Sequence, residues 1–254
     1  MRIAALIPTY NNGGTLQRVV EGVRAECPAV VIVNDGSTDN TASILRQYAD
    51  AEGVHVIECR VNKGKGHALK VGLRQAREMG FDYAVTIDSD LQHNPADIAA
   101  LRAALGQAAQ DGGAGSPVAV IGSRNLAANG MPQANSFANR FSNFWFTVQT
   151  GLRLPDTQTG FRLYPLHHLP PLWLLPNRYE AELLLLVLMA WGGVRLVPVP
   201  VSVDYPKDRV SHFRPFADFA RISLLNTLLC IVSVIYAWPR HLVRKIFCHV
   251  KKKC

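Results

Sequence analysis

The apolar positions of this chain fall into short blocks separated by polar, glycine-rich turns. Residues 3–7 form a continuous apolar run closed by Pro8, the pattern of a strand buried on both faces. A polar loop, Thr9-Tyr10-Asn11-Asn12-Gly13-Gly14, follows, with Thr15 placed to cap a helix. That helix carries Leu16, Val19, Val20 and Val23 on one face. Residues 30–33 repeat the strand pattern and end in Asn34-Asp35-Gly36-Ser37-Thr38-Asp39. Ser37, Thr38 or Asp39 can cap a helix running through Ile44, Leu45 and Tyr48. Residues 54–58 give a third strand, followed by Asn62-Lys63-Gly64-Lys65-Gly66 and a helix with Ala68, Leu69 and Leu73 inward. A fourth run, residues 83–87, delivers two acids, Asp88 and Asp90, at its end. Strand alternating with helix predicts an α/β fold with a mainly parallel central sheet flanked by helices.

The second half is less regular. Pro95 suits the first turn of a helix through Leu101 and Leu105. Residues 118–121 read as a strand ending in Gly122-Ser123-Arg124, and residues 125–139 as a polar loop and candidate lid. Phe137, Phe141, Phe144, Trp145, Phe146 and Val148 make an aromatic helix, read as core, with lipid contact the second option. An apolar helix runs from Tyr179-Glu180 through Trp191, and residues 194–203, rich in Val and Pro, read as an edge strand.

Residues 222–238 contain no charged side chain but do contain Asn226. The run falls short of the roughly 20 residues of a spanning helix. It could pack on the domain, anchor in the interface or make a short span; membrane association is the preferred reading. Composition sharpens this. The chain has 254 residues and a formal net charge of +8. Arg240, Arg244, Lys245, Lys251, Lys252 and Lys253 follow Trp238 with no acid among them. A greasy helix with a cationic flank predicts contact of residues 219–254 with an anionic membrane surface, on its cytoplasmic face. Nucleic acid is the weaker partner, because no aromatic-interleaved basic face accompanies the tail. The expected organisation is a domain over 1–218 and a membrane-associating segment over 219–254. The five scattered cysteines fit free thiols in a reducing compartment.

The chemistry concentrates at strand ends. Asp88 and Asp90 stand where open α/β sheets bind ligands, and two converging carboxylates call for a cation between them. Hard oxygen ligands suit Mg2+ or Mn2+, and such ions suit a diphosphate. The loops Pro8-Thr9-Tyr10-Asn11, Asn34 to Asp39, Asp88-Ser89-Asp90-Leu91-Gln92-His93 and Asp156-Thr157-Gln158-Thr159-Gly160-Phe161-Arg162 occur in an order that resembles glycosyltransferase family 2, with its GT-A fold. Asp-Ser-Asp-Leu-Gln-His-Asn-Pro followed by Asp-Thr-Gln-Thr-Gly-Phe-Arg resembles the dolichol- and polyprenol-phosphate sugar synthase branch. The resemblance spans about residues 1–215 and implies a GT-A domain followed by a C-terminal apolar helix.

It also implies a division of labour. Pro8, Thr9, Tyr10 and Asn11 wall the nucleobase, and Asp35 accepts hydrogen bonds from base or ribose. Asp88, with Ser89 beside it, lies near ribose and metal. Asp90 with Gln92 holds the cation. Lys65 either approaches a phosphate or is a solvated turn lysine. Arg124 and Arg140 resemble the family's phosphate-facing cations, where a guanidinium fork fits phosphate oxygens. Gly160 permits close approach of backbone to ligand, and Gln158 and Thr159 meet donor sugar or acceptor. Arg162 meets ligand or pairs with a buried acid. Glu180, or more weakly Glu182, binds sugar or acts as base; both also suit a helix N-terminus. Arg209, His212 and Arg214 stand where the family closes a basic loop over the phosphates. His212 departs from the expected Ser-Lys type of loop, and Asn12 stands where a Glu is common. No Gln-x-x-Arg-Trp motif of processive synthases is present, which argues against polymer synthesis.

The expected activity is inverting, metal-dependent transfer of a sugar from a UDP- or GDP-sugar to a lipid-linked acceptor, polyprenyl phosphate first. A phosphate acceptor is already ionised and needs no base; a glycolipid or saccharide hydroxyl would need one, with Glu180 and Asp156 the candidates. A non-catalytic nucleotide-sugar-binding membrane scaffold is the rival from another class. A nucleotidyltransferase ranks low, since its Gly-rich basic first loop is missing after Ile7.

Overall fold

The computed structural model describes residues 1–111, 116–124, 133–204 and 215–239. Among them, β1 (Ile3–Thr9), β2 (Val30–Asn34), β3 (Val54–Glu58), β4 (Tyr83–Thr86), β5 (Val118–Arg124), β6 (Arg162–Pro165) and β7 (Arg195–Val201) form one sheet. Its order is β3-β2-β1-β4-β6-β5-β7. β3, β2, β1 and β4 run parallel, as do β5 and β7. β6 lies antiparallel between β4 and β5. The helices are α1 (Leu16–Glu26), α2 (Thr41–Leu45), α3 (Lys65–Glu78), α4 (Ile98–Asp111), α5 (Gln133–Thr150), α6 (Glu180–Gly192) and α7 (Pro215–Val232).

The continuous apolar runs follow from burial on both faces. Along β1, Ala4 and Leu6 join one core with Leu69 and Leu73 of α3, Phe146 of α5 and Leu185 of α6. Ala5 and Ile7 point the other way, into a core with Leu16, Val19 and Val23 of α1 and Ile98 and Leu101 of α4. Fully burying one such aliphatic side chain stabilises the fold by about 1.5–3 kcal/mol.

Three local expectations change. Strand β6 has no counterpart among the expected elements, because Arg162 opens it and Pro165 closes it. Residues 133–139, expected within a polar loop, begin α5. Thr15 makes no side-chain cap to α1; its hydroxyl donates to the Ser89 carbonyl at 2.5 Å and ties the first loop to the acidic one. Asp39 does serve the start of α2, accepting the Thr41 N–H at 3.0 Å.

The aromatic helix is split in role. Phe146 is fully buried, whereas Phe144 is 59% exposed. α7 begins at Pro215, ahead of the expected boundary at 218/219, and continues into a π turn, Ser233–Ala237. Its Asn226, odd in an apolar run, is buried and accepts a hydrogen bond from Gln149 Nε2 at 2.9 Å. The helix is thus clamped onto α5. Among the described residues no helix is long and apolar enough to cross a membrane.

Candidate active site

The reversed strand β6 brings the two signatures together. Thr86 pairs with Arg162, so the end of β4 meets the start of β6. Asp88 and Asp90 therefore emerge beside the turn that holds Asp156 to Gly160. The Thr86 hydroxyl donates to the Gly160 carbonyl at 2.7 Å and fixes the junction. β5 reaches the same place from the other side: the Gly122 N–H donates to the Phe161 carbonyl at 2.9 Å, which carries Arg124 to Asp156. β1 and β2 end alongside, so the expected loops gather at the carboxyl edge of the sheet, where open α/β sheets bind ligands.

Asp88 does not stand as a bare carboxylate. Lys65, opening α3, places its Nζ 2.8 Å from Asp88 Oδ1 and 2.9 Å from Oδ2, and 3.1 Å from Glu182 Oε2. Lys65 is expected at a phosphate or in a solvated turn; it is instead half-buried between two acids. Burial works against its charge, but Asp88 and Glu182 outweigh that and hold its pKa above the usual lysine range. Burial would likewise raise the Asp88 pKa; the Lys65 ammonium overcomes it and keeps the carboxyl below the ordinary range.

Asp90 is half-buried on the next turn, and its Oδ1 accepts the Gln92 N–H at 3.1 Å. Between them Leu91 has φ 62°. A left-handed conformation is uncommon for leucine and is retained where surroundings over-determine it. Asn11, in the neighbouring loop, has φ 51°. Its side chain accepts the Thr38 N–H at 2.7 Å, and its own N–H donates to Ser37 Oγ at 2.9 Å. The first two loops are thus laced together. Pro8 and Thr9 are buried, and Tyr10 is half-buried at the rim. The Ser89 hydroxyl donates to the Pro8 carbonyl at 3.2 Å and accepts from Asn12 Nδ2 at 2.8 Å. Asn12, where a Glu is common, thereby braces the acidic loop.

Asp35 is buried, and its carboxylate accepts the N–H groups of Lys63 (3.1 Å) and Gly64 (2.6 Å). It therefore fixes the glycine turn that launches α3, whatever else it binds.

Asp156 is the most heavily bonded acid of the group. Arg124 Nε lies 2.6 Å from its Oδ2 and Arg124 Nη2 3.0 Å from Oδ1. Asn139 Nδ2 adds a bond of 2.6 Å, and the N–H groups of Gln158 and Thr159 add two more. Burial alone would raise its pKa; the Arg124 bond and charge reverse this and hold it below the usual carboxylate range. A carboxylate so engaged is a poor proton acceptor. The fork of Arg124, expected at a phosphate, is turned on Asp156 here.

Arg162 is fully buried and, among the described residues, meets no carboxylate directly. It donates to the carbonyls of Glu182 (2.8 Å) and Thr157 (2.9 Å) and to the Tyr164 hydroxyl (3.1 Å), a structural role. Glu180 and Glu182 are both largely buried at the start of α6, but Glu182 is the one joined to Asp88 through Lys65. Gln158 and Arg140 are exposed near this turn, Gln158 donating to the Ala138 carbonyl at 3.3 Å. Gly160 leaves room for the Asp88–Lys65 pair: a Cβ there would lie 2.5 Å from Asp88 Oδ2 and 2.8 Å from Lys65 Nζ, and those side chains would have to shift. His93 has no role among the sequence expectations. It is buried against Phe161, with ring centroids 5.1 Å apart. Burial, only partly opposed by Asp88, depresses its pKa to about 4. Arg209, His212 and Arg214 lie outside the described residues.

Fold and known proteins agree. A solved structure of glucosyl-3-phosphoglycerate synthase from Mycobacterium tuberculosis, bound to Mn2+, UDP-glucose and phosphoglyceric acid, superposes with a TM-score of 0.60. The two are 20% identical, and the match covers 91% of this chain and 79% of that one. This is the GT-A architecture. The model of glycosyl transferase family 2 matches residues 4–166; the chain belongs to that family and is a glycosyltransferase. UDP-N-acetylglucosamine–dolichyl-phosphate N-acetylglucosaminyltransferase of Methanococcus voltae is 28% identical over 222 residues, covering 80% of this chain and 86% of that protein. Undecaprenyl-phosphate mannosyltransferase of Micrococcus luteus is 29% identical over 170 residues, covering 65% of this chain and 66% of that protein.

Proposed function

We propose that this glycosyltransferase moves a sugar, with inversion, from a UDP- or GDP-sugar to a polyprenyl phosphate at the cytoplasmic face of a membrane. The observation that carries the reading is the state of the acids. Asp88 faces the Lys65 ammonium, and the Asp90 carboxylate with the Gln92 side-chain carbonyl are the donors assigned to a cation. That set is all oxygen and fits Mg2+ or Mn2+. Such an ion, when bound, neutralises charge growing on the leaving diphosphate. The chain's own residues do the rest. Asp35 and the Pro8–Asn11 loop receive the nucleoside. Asp88, Lys65 and Glu182 offer a charged, hydrogen-bonding wall to the sugar beside Gly160. Arg140 and the 209–214 loop supply cations for phosphate oxygens, with Arg124 adding charge from its place on Asp156.

The acceptor assignment rests on the engagement of Asp156, one of the two candidate bases; Glu180, whose buried Oε2 has no hydrogen-bond partner among the described residues, is the base a hydroxyl acceptor would have to use. A hydroxyl acceptor needs a base, and Asp156 is buried, accepts six hydrogen bonds and is held ionised. A phosphate monoester acceptor needs none. The relatives named for dolichyl and undecaprenyl phosphate support the same acceptor class.

Residues 219–254 form the membrane-associating segment in this reading, beside the catalytic domain of 1–218. The outer face of α7 and its π turn carries Leu224, Leu228, Ile231 and Ile235, each at least 50% exposed, while Trp238 beyond them donates to the Val148 carbonyl of α5 at 3.3 Å. The spacing of three and four residues makes one stripe about 17 Å long. The inner face holds Asn226 and Ser233. An exposed apolar stripe, followed by six cations and no acid, suits a helix lying in the interface of an anionic leaflet.

The test is a panel of UDP- and GDP-sugars with polyprenyl phosphate in vesicles. A labelled lipid that mild acid cleaves is expected, lost in chelator and in Asp90→Ala. An acid-stable glycolipid would move the assignment to a hydroxyl acceptor, and full activity in chelator would remove the metal.

A further inference from the structure

A cluster of metal-binding character lies apart from the Asp88–Asp90–Gln92 oxygen set. One ligand atom each from Asp35, Cys59 and His67 lie within 4.8 Å of one another. Each is held by backbone. Asp35 directly follows β2. Cys59 directly follows the neighbouring strand β3, and its N–H donates to the Asn34 carbonyl at 2.9 Å, which fastens it beside Asp35. His67 sits in the first turn of α3, its N–H shared between the carbonyls of Gly64 (2.9 Å) and Asn177 (3.0 Å). Asp35 is buried, while Cys59 and His67 are half-buried, so the cluster is open on one side. The Lys63 and Gly64 N–H groups aim the carboxylate and leave it further lone pairs.

We propose that Asp35, Cys59 and His67 form a second metal site, which takes a zinc-class divalent ion and, when filled, closes the nucleobase end of the donor site. Thiolate, imidazole and carboxylate are the donors such ions select, whereas hard ions select the oxygen set at Asp90 and Gln92. The two sites therefore sort metals by softness. Zinc bonds of about 2.0–2.3 Å put tetrahedral ligand atoms under about 4 Å apart. Small rotations of the half-buried Cys59 and His67 side chains close that difference. Three protein ligands leave a fourth position for water. Binding forms the metal–sulfur bond and releases the Cys59 thiol proton to solvent. The blocking role rests on the reading of Asp35 as nucleoside ligand; the metal site does not.

The test uses the purified full chain, stripped of metal, with Co2+ as spectroscopic probe. One equivalent should produce a thiolate-to-cobalt charge-transfer band, lost in Cys59→Ser and retained in Asp90→Ala. His67→Ala should weaken binding at least about tenfold, since losing a ligand costs no less than losing a ligand's hydrogen-bond partner. Zn2+ should bleach the band by displacement. Absence of the band, or its persistence in Cys59→Ser, overturns the site. UDP and GDP binding to the Co2+-free chain is measured in parallel by calorimetry with Mg2+ present to fill the oxygen set, and the nucleotide that binds should compete with Co2+. A band unmoved by saturating nucleotide overturns the blocking role. Failure of both nucleotides to bind in the absence of Co2+ sinks the donor reading instead, while the presence or absence of the band still decides the metal site.

Discussion

Replacing Lys65 by methionine isolates the charge at the centre of the site. The side chain keeps nearly the same volume but loses the ammonium that lies 2.8 Å from Asp88 and 3.1 Å from Glu182. These side chains are 11–27% exposed, so solvent screens the loss only partly. Removing one partner of a buried pair costs about 3–5 kcal/mol. In a domain of this size 1 kcal/mol moves Tm by about 2–4 °C, so a drop of about 6–20 °C at pH 7 is expected. The pH dependence separates charge from packing. The Asp88 pKa is depressed by Lys65, so its stabilisation is present above the unfolded value, about 3.9, and lost as pH falls through the folded value. The Lys65 pKa is raised, so its contribution is complete below the unfolded value, about 10.4, and lost as pH rises through the folded value. The wild-type pair is thus at full strength between about pH 5 and pH 9. In Lys65→Met the burial that remains raises the Asp88 pKa, and the variant recovers stability as acid protonates it. Calorimetry from pH 5 to pH 8 should show a Tm deficit that narrows toward acid. Lys65→Met combined with Asp88→Asn and Glu182→Gln should restore most of the loss, as coupled sites do. A deficit independent of pH, or a triple variant no better than the single, would refute the electrostatic account.

Three further outcomes follow from the same geometry. Gly160→Ala drives a Cβ to 2.5 Å from the Asp88 carboxylate, and overpacking of that kind costs about 1–3 kcal/mol; donor turnover should fall far more than Tm, and an unchanged kcat/KM would show that Gly160 has no part in the site. His93, with its pKa lowered to about 4, contributes stability that is present above its unfolded value, about 6.5, and is lost as pH falls toward 4. Between those limits the wild type should lose about 3 kcal/mol through this group, and His93→Gln should flatten that part of the Tm–pH curve. On the outer stripe of α7, Leu228→Asp with Ile231→Asp should abolish flotation with anionic vesicles while leaving nucleotide affinity intact; retained flotation would move the membrane contact elsewhere.

The parallel half of the sheet is legible in the sequence because its strands are buried on both faces and announce themselves as unbroken apolar runs. β6 is not, because its first residue is a fully buried arginine, Arg162, whose two Nη groups bond carbonyls and the Tyr164 hydroxyl that only the tertiary fold supplies. That one strand controls what could be inferred about the site. With the chain order alone, Asp88 and Asp156 are motifs far apart. With β6 reversed between β4 and β5, the turn before it and the turn after β4 are neighbours, and Thr86 bonds them. Residue types therefore locate the site, while partners have to come from the packing. Lys65 shows the limit most clearly: a lysine between two glycines gives no local sign of the acids it will meet. Glu182 ranks below Glu180 on sequence for the same reason, since the choice between two residues near a helix start depends on helix phase against α3. The reversed strand also explains why a side chain at Gly160 would push on the Asp88–Lys65 pair: it brings two signatures, from distant parts of the chain, into contact at that turn.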